Sequence, residues 1–369
     1  MMDKINFDAP VRVLQVVTYM GRGGIESMLM NYYRHIDRKK IQFDFLVHRD
    51  FRAEFDDEIE SLGGTIYRIP AMNPISPSYR SALRAFFRDH NYPIVHCHLN
   101  YMSGIVLAEA KRAGIPIRIA HSHTAATAAD WKQWVRHIFK HSIPWTSTTL
   151  LACSSIAGKA VFGQHHFQIM PNAINAIAFR FDPSIRIEMR DQLGLGDCPV
   201  IMHIGRFDGP KNQRFLVDAF SILIKKVPNA KLLLVGHGPL REQVMQQADQ
   251  LGLTDSIFFL GIRDDIPKLL QAADVFAFPS IFEGFGITLI EAQAAGLPCI
   301  KANTIPPECV VTDLVVSLPL ESPSDWAEAI LARCGSGRTD HMHDIISSGY
   351  DISAAAHRLE NFYLHGESL

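Results

Sequence analysis

No apolar run in the 369 residues reaches the roughly 18–20 needed to span a bilayer, so a membrane-spanning protein is excluded. Cysteine is scarce. The six, at positions 97, 153, 198, 299, 309 and 334, include no Cys-x-x-Cys pair, which fits reduced thiols better than a disulfide framework. Neither sign of charge dominates: 36 Lys+Arg face 38 Asp+Glu for a net charge of −2. That balance argues against a nucleic-acid binder, which needs a basic excess to displace counterions. The first ten residues, MMDKINFDAP, have no signal-peptide core, and a cytoplasmic location is expected. What remains is ordinary globular material, 47% hydrophobic and 20% charged, long enough for two domains or three.

Short β-branched runs alternate with longer amphipathic stretches. Strands are expected at 11–17, 41–47, 64–69, 93–98, 115–121 and 149–154, and again at 198–205, 231–236, 256–261, 274–279 and 297–302. Nearly continuous apolar strands separated by helices read as parallel sheets covered on both faces. The expectation is therefore an α/β chain of two doubly wound, Rossmann-like domains. Residues 1–175 form the first, 176–197 a linker without strand signature, 198–348 the second, and 349–369 a terminal amphipathic helix. Ligands of such sheets bind outside the carboxyl ends of the strands.

The most informative stretch is PSIFEGFGITLIEAQAAG, residues 279–296, which follows a strand and opens a helix. Gly284 and Gly286, flanking Phe285, let backbone approach a ligand. Amides of Gly286, Ile287, Thr288 and Leu289, at the helix start, form an anion site. Glu283 precedes that helix and Glu291 lies inside it, placed for sugar hydroxyls and a ribose diol. A helix start with two solvated carboxylates is the bland alternative; the pair, the glycines and the strand–loop–helix setting together favour a site.

HIGRFDGPKN, residues 203–212, puts Arg206 and Lys211 on another strand-end loop, a planar fork and a point charge suited to a diphosphate. The next two loops offer Gly236, and then Ile262 and Arg263, whose backbone could read a nucleobase edge. Each is weak alone. Four such loops in one domain favour a nucleotide-diphosphate site.

In the first half, TYMGRGGIES (18–27) departs from the dinucleotide fingerprint because Glu26 stands at its third glycine, and Asp44 falls mid-strand. A nicotinamide dehydrogenase is disfavoured, and the loop is left to touch an acceptor or a diphosphate. Two His-x-His pairs, His96/His98 and His121/His123, close neighbouring strands with each pair on one face. No acid or cysteine pattern completes a metal site, so no metal and no cofactor are expected; His123 is assigned to a bound sugar or phosphate and the other three to structure.

From Asp130 to Asp182 there is no intervening carboxylate, yet Lys132, Arg136, Lys140, Lys159 and Arg180 fall there with Trp131, Trp134 and Trp145. Such a basic, Trp-bearing helix suits an anionic lipid surface or a lipid-linked acceptor, and equally a core helix with a solvated face. A peripheral contact through residues 131–145 is the membrane expectation.

GRGGIE, AHSHT, PNAIN, GRFDGPKN, VGHGP, FLGIRDDI and PSIFEGFGITLIEAQAAGLP, in this order, resemble the GT-B glycosyltransferases, in particular the large retaining family four. YRHIDRKKIQFDFLVH and IRIAHSHT resemble its capsular and exopolysaccharide branch. The resemblance implies two domains facing a central cleft, with the last helix crossing back to the first. It implies that Glu283 orients the donor sugar with the amides of its loop, that Glu291 binds ribose, and that Arg206 and Lys211 hold the diphosphate. Ile262 and Arg263 would hold the base, usually uracil; His123 would lie near sugar and acceptor, and Gly24 would belong to the loop over the phosphate. The implied reaction is metal-independent hexosyl transfer from a nucleotide-sugar, a UDP-sugar by preference, to a glycan or lipid-linked glycan. The family's usual Pro-Asn-Gly-Ile-Asp reads Pro171-Asn172-Ala173-Ile174-Asn175 here. Rival readings are a nucleotide-sugar 2-epimerase of the same fold and a binding subunit without turnover.

Overall fold

A computed structural model describes residues 9–73, 75–123 and 133–369, with side chains omitted for 133–138. The chain divides into two compact units, one of residues 1–173 with 351–369 and one of 174–350. Among the described residues no helix is long and apolar enough to cross a membrane.

The first unit is built on seven parallel strands: β1 (Val11–Val17), β2 (Ile41–Val47), β3 (Ile66–Arg68), β4 (Ile94–Cys97), β5 (Ile117–Ser122), β6 (Thr149–Ala152) and β7 (Gln168–Ile169). Their order is β3-β2-β1-β4-β5-β6-β7, so the winding reverses between β1 and β4. Strand β2 is buried along its whole length, which explains its unbroken apolar run. Its one charge, Asp44, accepts from Arg12 Nε at 2.6 Å, the Thr65 amide at 2.7 Å and the Tyr92 hydroxyl at 2.8 Å. Mid-strand Asp44 is thus a satisfied core carboxylate.

The last helix, Ile352–His365, starts on Asp351, whose side chain accepts the Ser353 and Ala354 amides. It returns to the first unit, where Ile352, Ala355, Leu359 and Tyr363 join the core of Val13, Val17, Phe43 and Met30. Its amphipathic stripe, with no strand to follow, already required such a partner.

The second unit carries β8 (Val200–Ile204), β9 (Lys231–Val235), β10 (Ile257–Gly261), β11 (Val275–Phe278), β12 (Cys299–Ala302) and β13 (Val315–Leu318) in the order β10-β9-β8-β11-β12-β13. All recorded pairings are parallel, and the reversal lies between β8 and β11. Residues 176–197, expected to be a linker, instead form helices Ala176–Phe179 and Pro183–Gln192 within this unit. The cause is charge: Arg186 reaches Asp274 at 2.6 Å and the carbonyls of Gln271 and Ala273, while Arg190 reaches the Gly196 and Ala272 carbonyls. Asp182 caps the second helix.

Candidate active site

In a doubly wound sheet the loops on either side of the reversal splay apart and leave a crevice. In the second unit those loops follow β8 and β11, the two that carry Lys211 and Glu283. Lys211 Nζ lies 2.5 Å from Glu283 Oε1 and 5.3 Å from the centre of the Phe278 ring. Two further bonds tie the loops: the Ile281 amide to the Pro210 carbonyl at 2.8 Å, and Asn212 Nδ2 to the Pro279 carbonyl at 3.3 Å. Without ligand, then, the cation expected to meet a diphosphate and the carboxylate expected to meet a sugar neutralise each other. Arg206 is free of that pair; its side chain is 68% exposed, 3.9 Å from Asp208.

The β8 and β9 loops touch backbone to backbone. A Cβ on Gly236, whose φ is +134°, would sit 2.1 Å from the Gly205 carbonyl oxygen, and one on Gly238 would sit 2.4 Å from that of Phe207. Only glycine permits this approach. The Gly236 amide donates to the Gly261 carbonyl at 2.8 Å and so joins the β10 loop to the set. On that loop Ile262 is 57% exposed, and the Arg263 guanidinium is held in a fork by Asp265 at 2.6 and 2.8 Å. The backbone there is therefore presented by side chains already engaged.

Gly286, with φ +100°, precedes the helix Ile287–Ala294. Phe285 is buried and packs on Tyr350 at 5.4 Å between centroids, so it anchors the loop and leaves only its backbone to a ligand. Of the four amides expected to be open, that of Leu289 is not: it donates to the Gly286 carbonyl at 3.0 Å, closing the first turn tightly. Gly286, Ile287 and Thr288 lie ahead of that bond, and Gly284 belongs to the same loop. Glu291 lies in this helix, its carbonyl accepting the Ala295 amide at 3.0 Å, and desolvation raises its carboxyl to about 8. Around the same strand ends, His203 Nε2, Ser280 Oγ and Thr288 Oγ1 are buried without partners. Burial, with Lys211 nearby, pushes the His203 ring down to about 4 and keeps it neutral; its Nδ1 donates to the Ala277 carbonyl at 2.9 Å, which leaves Nε2 a bare acceptor. Sequence reasoning passed over His203 because one histidine in an apolar strand carries no signal.

In the first unit a Cβ at Gly24 would meet nothing within 4 Å, whereas one at Gly23 would strike Glu26 Oε2. Close packing in this loop thus falls at Gly23, and at Gly21 beside the Tyr19 ring, and leaves Gly24 open. Burial, with Glu54 nearby, lifts the Glu26 carboxyl to about 7. The two His-x-His pairs come together as one cluster, His98 Nδ1 to His123 Nε2 at 2.9 Å and His96 Nε2 to His121 Nδ1 at 3.2 Å. His96, His98 and His121 could bring one ring nitrogen each within 4.8 Å of one another. Asn100 accepts the His123 amide at 2.7 Å and fixes its backbone. Trp131, Lys132 and the side chains of Trp134, Val135, Arg136 and Ile138 lie outside the described residues. Trp145, at the end of helix Gln133–Thr146, is 76% exposed.

Residues 23–164 match the family described as glycosyl transferase 4-like domain, and residues 185–347 match glycosyl transferases group 1. The chain is 34% identical over 368 residues to EpsF of Bacillus subtilis, covering 95% of this chain and 96% of that one. It is 26% identical over 365 residues to the capsular polysaccharide biosynthesis glycosyltransferase CapH of Staphylococcus aureus, covering 96% and 99%. Among solved structures, HepE of Anabaena in complex with UDP superposes with a TM-score of 0.74 at 19% identity, over 95% of each chain. With both halves matched by their families and a full-length relative above 30% identity, the chain belongs to the GT-B glycosyltransferases of family four, among the capsular and exopolysaccharide type.

Proposed function

We propose that the protein transfers a hexose, with retention of configuration, from a UDP-sugar to a glycan or lipid-linked glycan acceptor. The observation that carries this reading is the Lys211–Glu283 pair, drawn together at 2.5 Å from opposite sides of the β8/β11 reversal and immediately ahead of a helix start. A diphosphate arriving there would take Lys211 for itself and release Glu283 to the sugar. Arg206 and the amides of Gly286, Ile287 and Thr288 supply further donors to the same anion. Glu291, held protonated by burial, gains two hydroxyl donors when a ribose diol arrives and ionises in return. The backbone at Ile262 and Arg263 takes the base edge, and Gly24 lies in the loop assigned to the phosphate side.

The chemistry follows charge. The bond from the sugar's anomeric carbon to the phosphate oxygen breaks, and its electron pair leaves with the diphosphate. Arg206, Lys211 and the helix-start amides stabilise the negative charge that develops. The acceptor hydroxyl forms the new bond on the same face and passes its proton to the departing phosphate oxygen. Glu283 holds a hydroxyl of the donor sugar during transfer, and His123, in the first unit, is assigned a sugar hydroxyl. No metal is assigned a role.

The complex of HepE with UDP supports uracil, and the part of CapH in capsular polysaccharide biosynthesis supports a glycan acceptor. A thermal-shift panel of UDP-, GDP- and ADP-sugars tests the donor, since a ligand of the native state raises its melting temperature. UDP-sugars should give the largest rise; a preference for GDP- or ADP-sugars would overturn the uracil assignment. Product anomers read by NMR test retention, and formation of an epimer from donor alone would favour the 2-epimerase instead.

A further inference from the structure

The four histidines form a buried array with no counterpart in the second unit. His96 closes β4 and His98 follows it; His121 lies on β5 and His123 follows. Their rings stack at 4.0 to 5.2 Å between centroids. Two lines of hydrogen bonds leave the single amide of Gln15, which lies on β1 beside His96. Along one line Gln15 Oε1 meets His98 Nε2 at 2.9 Å, and His98 Nδ1 meets His123 Nε2 at 2.9 Å. Along the other, Gln15 Nε2 meets the Tyr363 hydroxyl at 3.3 Å, the hydroxyl meets His96 Nδ1 at 2.6 Å, and His96 Nε2 meets His121 Nδ1 at 3.2 Å. Each line ends on a buried nitrogen without a partner among the described residues, His123 Nδ1 and His121 Nε2.

Valence sets the protons. Desolvation keeps the rings neutral, pushing His96 and His123 down to about 3 and His98 and His121 well below the ordinary imidazole range. A neutral imidazole has one N–H and one lone pair. An amide oxygen only accepts, so His98 carries its proton on Nε2 and accepts at Nδ1. His123 must then donate from Nε2 and is left with a bare Nδ1. On the other line the amide nitrogen donates to Tyr363, whose own proton has only His96 Nδ1 to receive it. His96 therefore donates from Nε2 to His121 Nδ1, and His121 ends in an Nε2–H. Turning the Gln15 amide over would reverse every proton in both lines, so the rings are set together.

We propose that Gln15 and Tyr363 are positioning residues that hold all four histidines as Nε2–H tautomers and thereby present His123 Nδ1 as a bare acceptor for a ligand hydroxyl. A phosphate has no proton to give and would meet a lone pair, so the sequence-level choice between sugar and phosphate at His123 falls to the sugar. The ligand half of this inference rests on the donor reading above; the tautomers do not. The array also gives the returning C-terminal helix a role beyond packing, because Tyr363 supplies one of its protons.

The test is long-range nitrogen–proton NMR of the uniformly ¹⁵N-labelled full chain, which reports the protonated nitrogen of each ring. Four Nε2–H rings are expected, and Nδ1–H at any of the four overturns the proposal. Gln15→Glu would accept from both sides, which turns His96 and His121 to Nδ1–H while His98 and His123 stay; an unchanged array contradicts it. Tyr363→Phe should release His96 and His121 to both tautomers and leave the other line fixed, and scrambling of His98 and His123 instead would contradict it. Displacement of the ring protons by one equivalent of Zn²⁺ alone would show a metal site and overturn it. With UDP-glucose, against UDP alone, the His123 Nδ1 resonance should move toward the hydrogen-bonded range; a UDP-sugar that binds without moving it overturns the ligand half. Failure of every nucleotide to bind would count against the donor reading, the ligand-free spectrum deciding the tautomers by itself.

Discussion

The two units share a winding but keep their chemistry in different places. The first sheet buries polar groups in its interior: Gln15, Asp44, His48, His96, His98 and His121 are all shielded from solvent. The second sheet buries fewer polar strand residues, His203 and Lys301, and puts most of its chemistry in the loops that follow its strands. A buried polar group must find partners, so in the first unit Gln15, the histidines and Tyr363 hold one another from distant points in the chain. Groups at the strand ends and the helix start answer to a ligand instead, so Ser280 Oγ and Thr288 Oγ1 stand without partners among the described residues. Order in the first unit rests mostly on its own buried network, with His123 Nδ1 and His121 Nε2 left over at its ends, and in the second it waits for a substrate.

That contrast can be broken by separating loss of turnover from loss of fold. The largest expected effect is on turnover: Lys211→Ala should cut transfer about 10²–10³-fold, the usual cost of removing a donor to developing charge. Its melting temperature should stay within a few degrees of the parent; near-normal steady-state rates would remove Lys211 from the mechanism. In the first unit the sign of the pattern should reverse. Asp44→Ala leaves Tyr92 and the Thr65 amide without their acceptor and should cost about 3 kcal/mol in urea unfolding, hydrogen bonds to charged groups contributing roughly 1.5–3 each. A loss below about 1 kcal/mol would mean that the interior polar groups are not interdependent.

A smaller effect concerns pH. Folding raises the Glu291 carboxyl from 4.5 to about 8, so the native state holds a proton there that the unfolded chain has lost. Stability from this group is complete below pH 4.5 and falls as pH rises towards 8. Glu291→Gln should flatten that part of the melting-temperature profile, and a saturating UDP-sugar should flatten it in the parent; an unchanged slope in both would contradict the burial of this carboxyl. The smallest effect is on lipid contact. Lys132, Arg136 and Lys140 changed to Glu should weaken sedimentation with anionic liposomes several-fold, with a small fall in melting temperature from the lost bond of Lys140 Nζ to the Ala160 carbonyl, and undiminished sedimentation would remove the lipid contact of residues 131–145.

Local pattern carried most of the fold. Eleven strand positions are legible from alternation of apolar runs and turns, because each lies inside a short, mostly apolar segment. Strand β7, two residues long, and β13, entered through polar ValThrAspLeu, were too short or too mixed to stand out. Residues 176–197 were misplaced because what binds them to the second unit is a set of arginines reaching Asp274, more than eighty residues away in sequence. The same distinction governs the site. Glycine-rich loops announce themselves, and Gly236, Gly238 and Gly286 stand where backbone crowding or positive φ demands them. The meeting of Lys211 with Glu283, and of His98 with Gln15, depends on strand order, which no local window contains. The Leu289 amide was miscounted for a related reason, since the tightness of the first helical turn depends on the φ of Gly286.

The central claim is that the second unit grips a nucleotide-sugar by its diphosphate at the β8/β11 reversal. The most direct measurement is the structure of the protein with a UDP-sugar bound. The diphosphate should lie within hydrogen-bond distance of Lys211, Arg206 and the amides of Gly286–Thr288, with Glu291 on the ribose and Lys211 drawn away from Glu283. A nucleotide bound elsewhere, with Lys211 and Glu283 still paired, would contradict the account.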